Sequence, residues 1–496
     1  MEKSFYWYDF ETFGINPRTL RPSQFAGIRT NLKFESNGKG EIFYCKPSPD
    51  QLPEPKACLL TKITPQHCNE HGIHETDFAK AIWDRLNEPG TISLGYNTLG
   101  FDDEVCRFLF WRNFRDPYSH QWKDGCTRWD LFPIVLAIYA LRGECSWIRW
   151  PSWSELDPKK FPGVQDRPGY AFKLELLTKF NNLVHSKAHD ALSDVEATIA
   201  LAKLIATNEP KLWQWALEHR DKDYARYCVE NGPTVWVSPR LGGVNHFLRV
   251  VQKICVKEGN PNEYIVWDLM HDPSELEGLT ADEMTLRIKS KNAVLESMGL
   301  KRLPMYRLKI NESPFVCDDL RVLRPQRAQE IGIDFDVIAR NSQRLSEMGM
   351  IAGTVQDACK FTDEKVMDAD EALYSGFPSQ ADKKVMTRIL NLDGQTLADE
   401  IDKGHLNFES EALQTLLWRF MGRNYPQLMN DDMKTLWQTY LRAKLLSEDS
   451  PNNITKYFEE LDTLMQSYVD QGDVPEDVDE VLNELYAWGE HLSENL

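Results

Sequence analysis

The sequence predicts an α/β domain followed by a small β-rich segment and then an α-helical one. Three observations predict this order: strand-like and helix-like stretches alternate through about the first 205 residues, short β-type runs mark residues 207 to 360, and amphipathic helical patterns fill the remainder. At 496 residues the chain is longer than one ordinary core can organise, so two to four domains are expected.

The elements follow in order. FYWYDF (residues 5–10), EIFYCKP (residues 41–47) and TISLGYN (residues 91–97) carry the aromatic and β-branched content of strands. FAKAIWDRLN (residues 78–87), DDEVCRFLFWRNF (residues 102–114), LFPIVLAIYALR (residues 131–142) and ALSDVEATIALAKLIA (residues 191–206) place apolar residues at helical spacing. Pro, Gly and turn residues from Trp147 to Tyr170 predict a long surface loop. TVWVS (residues 234–238), EYIVWDL (residues 263–269) and YRLKI (residues 306–310) supply the β-type runs of the middle segment. ADKKVMTRILN, EALQTLLWRFMG, MKTLWQTYLRAKLL and VDEVLNELYAWGEHL follow as amphipathic helices. The predicted boundaries are 1–206, 207–360 and 361–496.

Composition narrows the function classes. With 42% hydrophobic and 27% charged residues the chain reads as soluble and globular. No stretch approaches the roughly 18 uninterrupted apolar residues of a membrane helix, and the N-terminus lacks a signal-peptide apolar region, so a cytoplasmic protein is expected. The ten cysteines are scattered singly, without zinc-ligand spacing, and are expected to be reduced thiols. The net charge of −19 opposes a nucleic-acid partner only if charge is spread evenly. Residues 105 to 180 carry twelve Lys and Arg, whereas Glu459 to Glu494 is densely acidic, so a basic face can coexist with the acidic total.

The N-terminal strand ends on Asp9 and Glu11, which alternation puts on one face, opposite Tyr8 and Phe10. Like charges on one face repel, and a divalent cation would join them, since Mg²⁺ takes carboxylate oxygens together with water and substrate phosphate. A lone pair of acids at a strand end is equally a solvated terminus, so the metal reading needs more acids. Asp102 opens a helix after the turn holding Asn97 and Gly100, and Asp194 lies in the first turns of a later helix; each also suits a helix cap or a first-turn acid. Five residues along a continuous helix turn a side chain by roughly 140°, so His189 can share a site with Asp194 only from the loop before that helix.

DFET (Asp9, Glu11), YNTLGFD (Asn97, Asp102) and HDALSD (His189, Asp194) resemble, in order, the three motifs of the DEDDh superfamily of 3′→5′ exonucleases. RPSQFAGIRT, FYCKP, ITPQ, RNFRDPY, RWDL, KAHDAL, VWVSPRLG, INESP, GIDFD, LYSGFPSQAD and GRNYPQ extend the similarity to the bacterial exonuclease I family over nearly the whole chain. The likeness fades at residues 143–170 and in the acidic last segment, and Gly100 stands where that family is associated with a basic residue.

The resemblance implies a ribonuclease H-like exonuclease domain with a mixed sheet, an SH3-like domain and a helical C-terminal domain. It implies processive 3′→5′ degradation of single-stranded DNA to 5′-mononucleotides, in DNA repair and recombination. Asp9, Glu11, Asp102 and Asp194 would hold two Mg²⁺ ions, with Mn²⁺ as a substitute, and His189 would be the general base. Phe10, Thr12, Phe13 and Asn97 are implied near the terminal nucleotide. Arg128, Arg142, Arg149, Trp111, Trp122, Trp147 and Trp150 are candidates for the DNA path, with at least half of the tryptophans expected in the core. Arg142, Trp215 and Arg324 are implied to receive the acidic C-terminal tail of single-stranded DNA-binding protein, and a monomer is expected. Two alternatives stay open: a DEDDh exonuclease acting on RNA or in proofreading, and a non-catalytic DNA-binding scaffold. Roughly 290 residues beyond the nuclease segment oppose the first, and the presence of all five expected catalytic residues opposes the second.

Overall fold

The computed structural model describes residues 2–36, 38–185, 189–360, 367–451, 453–472 and 474–496. Lys187 and Ala188 of the KAHDAL stretch, and the expected junction at 361, lie outside the described residues. By proximity the chain forms two compact units: Met1–Arg128 with His185–Ile199 and Lys365–Leu496, and Trp129–Val184 with Ala200–Glu364. The linear segment 1–206 therefore contributes to both.

The first unit is built on a mixed sheet of order β3-β2-β1-β4-β5, with β1 at Ser4–Thr12, β2 at Pro22–Asn31, β3 at Glu41–Tyr44, β4 at Thr91–Leu94 and β5 at Thr127–Arg128. β1 is central, antiparallel to β2 and parallel to β4. Its even positions, Tyr6, Tyr8 and Phe10, pack with Phe25, Phe78, Val105 and Phe110. Its odd positions change character along the strand. Phe5 and Trp7 pack edge to face and lie against Phe34, and Asp9 and Glu11 follow on the same side. Burying each of these aromatics contributes roughly 1.5–3 kcal/mol, so the strand is anchored before it reaches its acids.

The C-terminal helices close the same unit. Glu411–Asn424 and Asp431–Leu446 pack on Phe108, Trp111 and Phe114, and Ile454–Asp470 and Glu476–Glu494 pack on Phe13, Leu52 and Cys58. Helix Ile454–Asp470 was not among the helices expected from sequence. Beneath them lies a buried ion lattice. The Asp50 carboxylate accepts from Arg423 at 2.7 Å, Lys444 at 3.1 Å, Arg21 at 3.3 Å and the Tyr440 hydroxyl at 3.0 Å. Asp370 is held by Arg423 at 2.7 Å and Arg419 at 2.9 Å. These cations hold both carboxyls well below the usual range although burial alone pushes them up.

The second unit carries an antiparallel sheet of order β10-β6-β7-β8-β9, with β6 at Thr234–Val237, β7 at Leu248–Val256, β8 at Glu263–Asp268, β9 at Met305–Lys309 and β10 at Phe315–Cys317. Trp236, Val251, Tyr264, Val266 and Leu308 form its core with Ala225 and Val229 of the helix Lys222–Glu230. Residues 147–170 hold no element longer than the single turn Trp153–Glu155, as expected of a loop. All ten cysteines are free thiols. Among the described residues no helix is long and apolar enough to cross a membrane.

Candidate active site

The antiparallel register sets Glu11 opposite Gln24 and Asp9 opposite Ala26, so Gln24 shares the acidic face of β1. Its side-chain amide reads the start of the helix Ala191–Asn208: Oε1 accepts the Ala191 N–H at 3.0 Å and Nε2 donates to Asp190 at 3.4 Å. Gln24 thus seats the helix that carries Asp194 against the strand that carries Glu11. It was missed as a site residue because Pro22–Asn31, buried on both faces, shows no polar alternation.

Asp102 begins the helix Asp102–Arg112, is 5% exposed, and accepts the Phe10 backbone N–H at 3.1 Å. Its neighbour Asp103 makes a separate set of contacts, with Arg107 at 2.9 Å, His120 at 3.2 Å and Arg128. Burial opposes its charge, yet Arg107 and Arg128 hold it well below the usual carboxylate range. The two adjacent acids are therefore divided: Asp103 is neutralised by its own cations, while Asp102 joins the acids of β1.

His189 lies two residues before the start of its helix with φ 63°, in the left-handed region that L-residues rarely enter. It therefore occupies the loop position that the five-residue spacing to Asp194 requires. Its backbone N–H donates to Asp194 Oδ2 at 3.1 Å, while His185 Nε2 reaches Asp194 Oδ1 at 2.7 Å. Glu11, His189 and Asp194 each offer a ligand atom within 4.8 Å of the others.

Electrostatics complete the site. Burial, then repulsion from Asp102, Glu11, Asp194 and Asp190, pushes the Asp9 carboxyl well above the usual range. Burial, then Asp194, Asp102 and Asp190, pushes Glu11 from 4.5 up to about 8. Among the described residues, the leading influences on both carboxyls all raise them. Buried oxygen donors with uncompensated negative charge fit a divalent cation, which takes carboxylates and removes their mutual repulsion.

The other expected site residues are placed less uniformly. Phe10 and Phe13 are core positions, Phe10 against Phe25 and Phe13 against the C-terminal helices. The Thr12 hydroxyl donates to the Gly14 carbonyl at 2.7 Å. Asn97 is exposed in the left-handed region at φ 60°, and a Cβ at Gly100 would meet only ordinary contact with it. Arg128, expected on the DNA path, is buried against Asp103, which draws its guanidinium inward. In the second unit Arg142 pairs with Glu209 at 3.4 Å, Trp215 stacks on His219 and lies against Phe315, and Arg324 precedes the helix Pro325–Glu330. Trp111 and Trp150 are core, Trp147 is half-buried and Trp122 is 66% exposed.

Three family profiles match the chain: Exonuclease over residues 6–202, Exonuclease I SH3-like domain over 220–359, and Exonuclease I C-terminal domain over 367–492. Exodeoxyribonuclease I of Haemophilus influenzae is 37% identical over 89% of this chain and 90% of its own. Exodeoxyribonuclease I of Escherichia coli is 35% identical over 95% of this chain and 94% of its own. The zinc-bound form of the E. coli exonuclease I–single-stranded DNA complex superimposes with a TM-score of 0.87 at 32% identity, covering 99% of this chain and 100% of that one. The ribonuclease H-like, SH3-like and helical architecture holds, and the chain is an exodeoxyribonuclease belonging to the exodeoxyribonuclease I family.

Proposed function

We propose that this enzyme degrades single-stranded DNA from the 3′ end, releasing 5′-mononucleotides, and that it does so processively in the cytoplasm as a monomer serving DNA repair. The observation that carries the reading is the convergence of Asp9, Glu11, Asp102 and Asp194 with His189 around the end of β1. The four carboxylates would hold two Mg²⁺ ions, with Mn²⁺ able to substitute. When bound, these supply Lewis-acid activation of water and charge stabilisation of the leaving 3′ oxygen.

The chain's own groups do the rest. Asp194, fixed at both oxygens, and Asp102, fixed by the Phe10 amide, hold their negative charge in place before substrate arrives. His189 accepts the proton of the attacking water at a ring nitrogen, a task suited to imidazole at neutral pH. Thr12 and Asn97 position the terminal nucleotide. Arg142, Arg149 and the exposed Trp122 are retained for the DNA path, where cations follow the backbone and aromatic faces stack on bases. Arg128 acts instead by fixing Asp103 beside Asp102.

We further assign Arg142, Trp215 and Arg324 to the acidic C-terminal tail of single-stranded DNA-binding protein, and domain boundaries at 206/207 and 360/361. Loss of tail binding in Arg324→Ala, with degradation of naked DNA intact, is the outcome this assignment requires. Digestion of single- and double-stranded DNA labelled at either end, with Mg²⁺ or with a chelator, tests the main reading. Early release of 3′ label as mononucleotide, from single strands and only with metal, supports it; release of 5′ label first, or activity in chelator, overturns it.

A further inference from the structure

His185 lies outside the set of three ligand-bearing residues but touches one of them. Its ring Nε2 is 2.7 Å from Asp194 Oδ1, and both side chains are largely withdrawn from solvent, 7% and 16% exposed. With the imidazole Nε2–H as donor to the carboxylate, the 2.7 Å separation lies in the range of charge-assisted bonds. The other oxygen, Oδ2, accepts the His189 N–H at 3.1 Å. Two donors on different oxygens fix the plane of the carboxylate. A carboxylate offers about four lone-pair directions, so these two bonds leave about two for a cation.

We infer that His185 is a positioning residue that orients Asp194 for metal, an inference that rests on the metal-binding reading proposed above. A side chain in the first turn of a helix has two free torsions, and without the imidazole the Asp194 carboxylate keeps only one of its side-chain restraints. Partners of this kind fix ligand orientation, and their loss costs about ten- to a hundred-fold in metal affinity. A merely structural His185 would change stability but not the affinity of a folded protein for metal.

The test titrates Mn²⁺ into the full-length protein without DNA, reading free Mn²⁺ by electron paramagnetic resonance. Wild type, His185→Ala, His185→Gln, His185→Asn and Asp194→Ala are compared at temperatures where circular dichroism shows each folded. His185→Ala is expected to bind Mn²⁺ about ten- to a hundred-fold more weakly. His185→Gln recovers most of the loss, because its amide nitrogen donates from a comparable reach, whereas the shorter Asn does not. Single-stranded DNA binding in chelator is unchanged, and the kcat of His185→Ala recovers as metal is raised.

Wild-type or tighter Mn²⁺ affinity in His185→Ala, while Asp194→Ala loses binding, overturns the positioning role and leaves the metal site standing. Wild-type affinity in Asp194→Ala overturns the metal assignment of Asp194 and the role of His185 with it. Should His185→Ala fail to fold, Gln against Asn decides: near-wild-type Gln with weakened Asn supports the inference, and equal affinities overturn it.

Discussion

Glu11 and Asp50 are both buried carboxylates of the same compact unit, at 9% and 0% exposure, and burial is the largest influence on each. Their carboxyls nevertheless move in opposite directions. Asp50 is surrounded by Arg423, Lys444 and Arg21 and stays ionised well below the usual range, whereas Glu11 faces Asp194, Asp102 and Asp190 and rises to about 8. Desolvation is common to both; the sign of the neighbours decides the outcome. The lattice is complete within the chain. On the reading proposed above the acidic cluster takes its cation from outside, and that difference would separate a functional group of acids from a structural one.

Removing one acid from each region should break the comparison in opposite ways. Asp9→Asn is expected to lower kcat by about a thousand-fold or more, the scale of several kcal/mol of lost transition-state stabilisation, while the metal-free protein keeps or gains thermal stability. Asp50→Asn leaves Arg423 and Lys444 without their shared anion, and should cost about 3–5 kcal/mol in urea unfolding with the activity of the folded enzyme largely retained. A stable Asp50→Asn protein would mean that the lattice is not needed to hold the C-terminal helices.

Metal should sharpen the contrast. Mg²⁺ at about one hundred times its Kd stabilises the native state by about 2.7 kcal/mol, visible as a raised melting temperature in wild type and absent in Asp9→Asn. An Asp50→Asn protein should still show the metal-induced rise from its lower starting point.

The smallest effect is the pH dependence of the metal-free enzyme. Glu11 has a folded pKa near 8 against an ordinary 4.5, so the native state binds the extra proton between these values. Its stability is therefore highest below about 4.5 as far as this group is concerned, and falls as pH rises towards 8. Glu11 and Asp9 titrate as a coupled pair, so the slope belongs to both rather than to Glu11 alone. Glu11→Gln should flatten that slope. Asp50 acts with the opposite sign: its stabilisation is present above the ordinary carboxylate range and is lost as pH falls through its depressed pKa. Unfolding midpoints across pH, in chelator, separate the two.

The sequence made one region legible and hid the other. Strand alternation and helix starts are local rules that mark Asp9, Glu11, Asp102 and Asp194 as candidates, but only the three ordered motifs, through their family resemblance, single them out together with His189. The lattice joins Arg21 and Asp50 to Asp370, Arg423 and Lys444, hundreds of positions away, and no local pattern announces it. Charge in a sequence also suggests surface. Arg107, Arg112 and Arg128, which the sequence offers to a basic face, are buried in ion pairs, because paired guanidinium groups tolerate an interior that single charges do not, and Arg115 is buried over the Trp83 ring. The acidic stretch from Glu459 hid helix Ile454–Asp470 for the same reason, its apolar stripe being interleaved with carboxylates. His185 and Gln24 escaped because their roles depend on which atoms they meet.

The bond from the Phe10 amide to Asp102 gives this site an unusual genetic profile. A side-chain scan at position 10 reports only on core volume, since every residue but proline supplies the same N–H. This restraint on a metal-ligand candidate is thus shielded from nearly all point mutations. Only a change to the polymer itself, such as an amide-to-ester replacement at residue 10, would remove the donor while keeping the phenyl ring in the core.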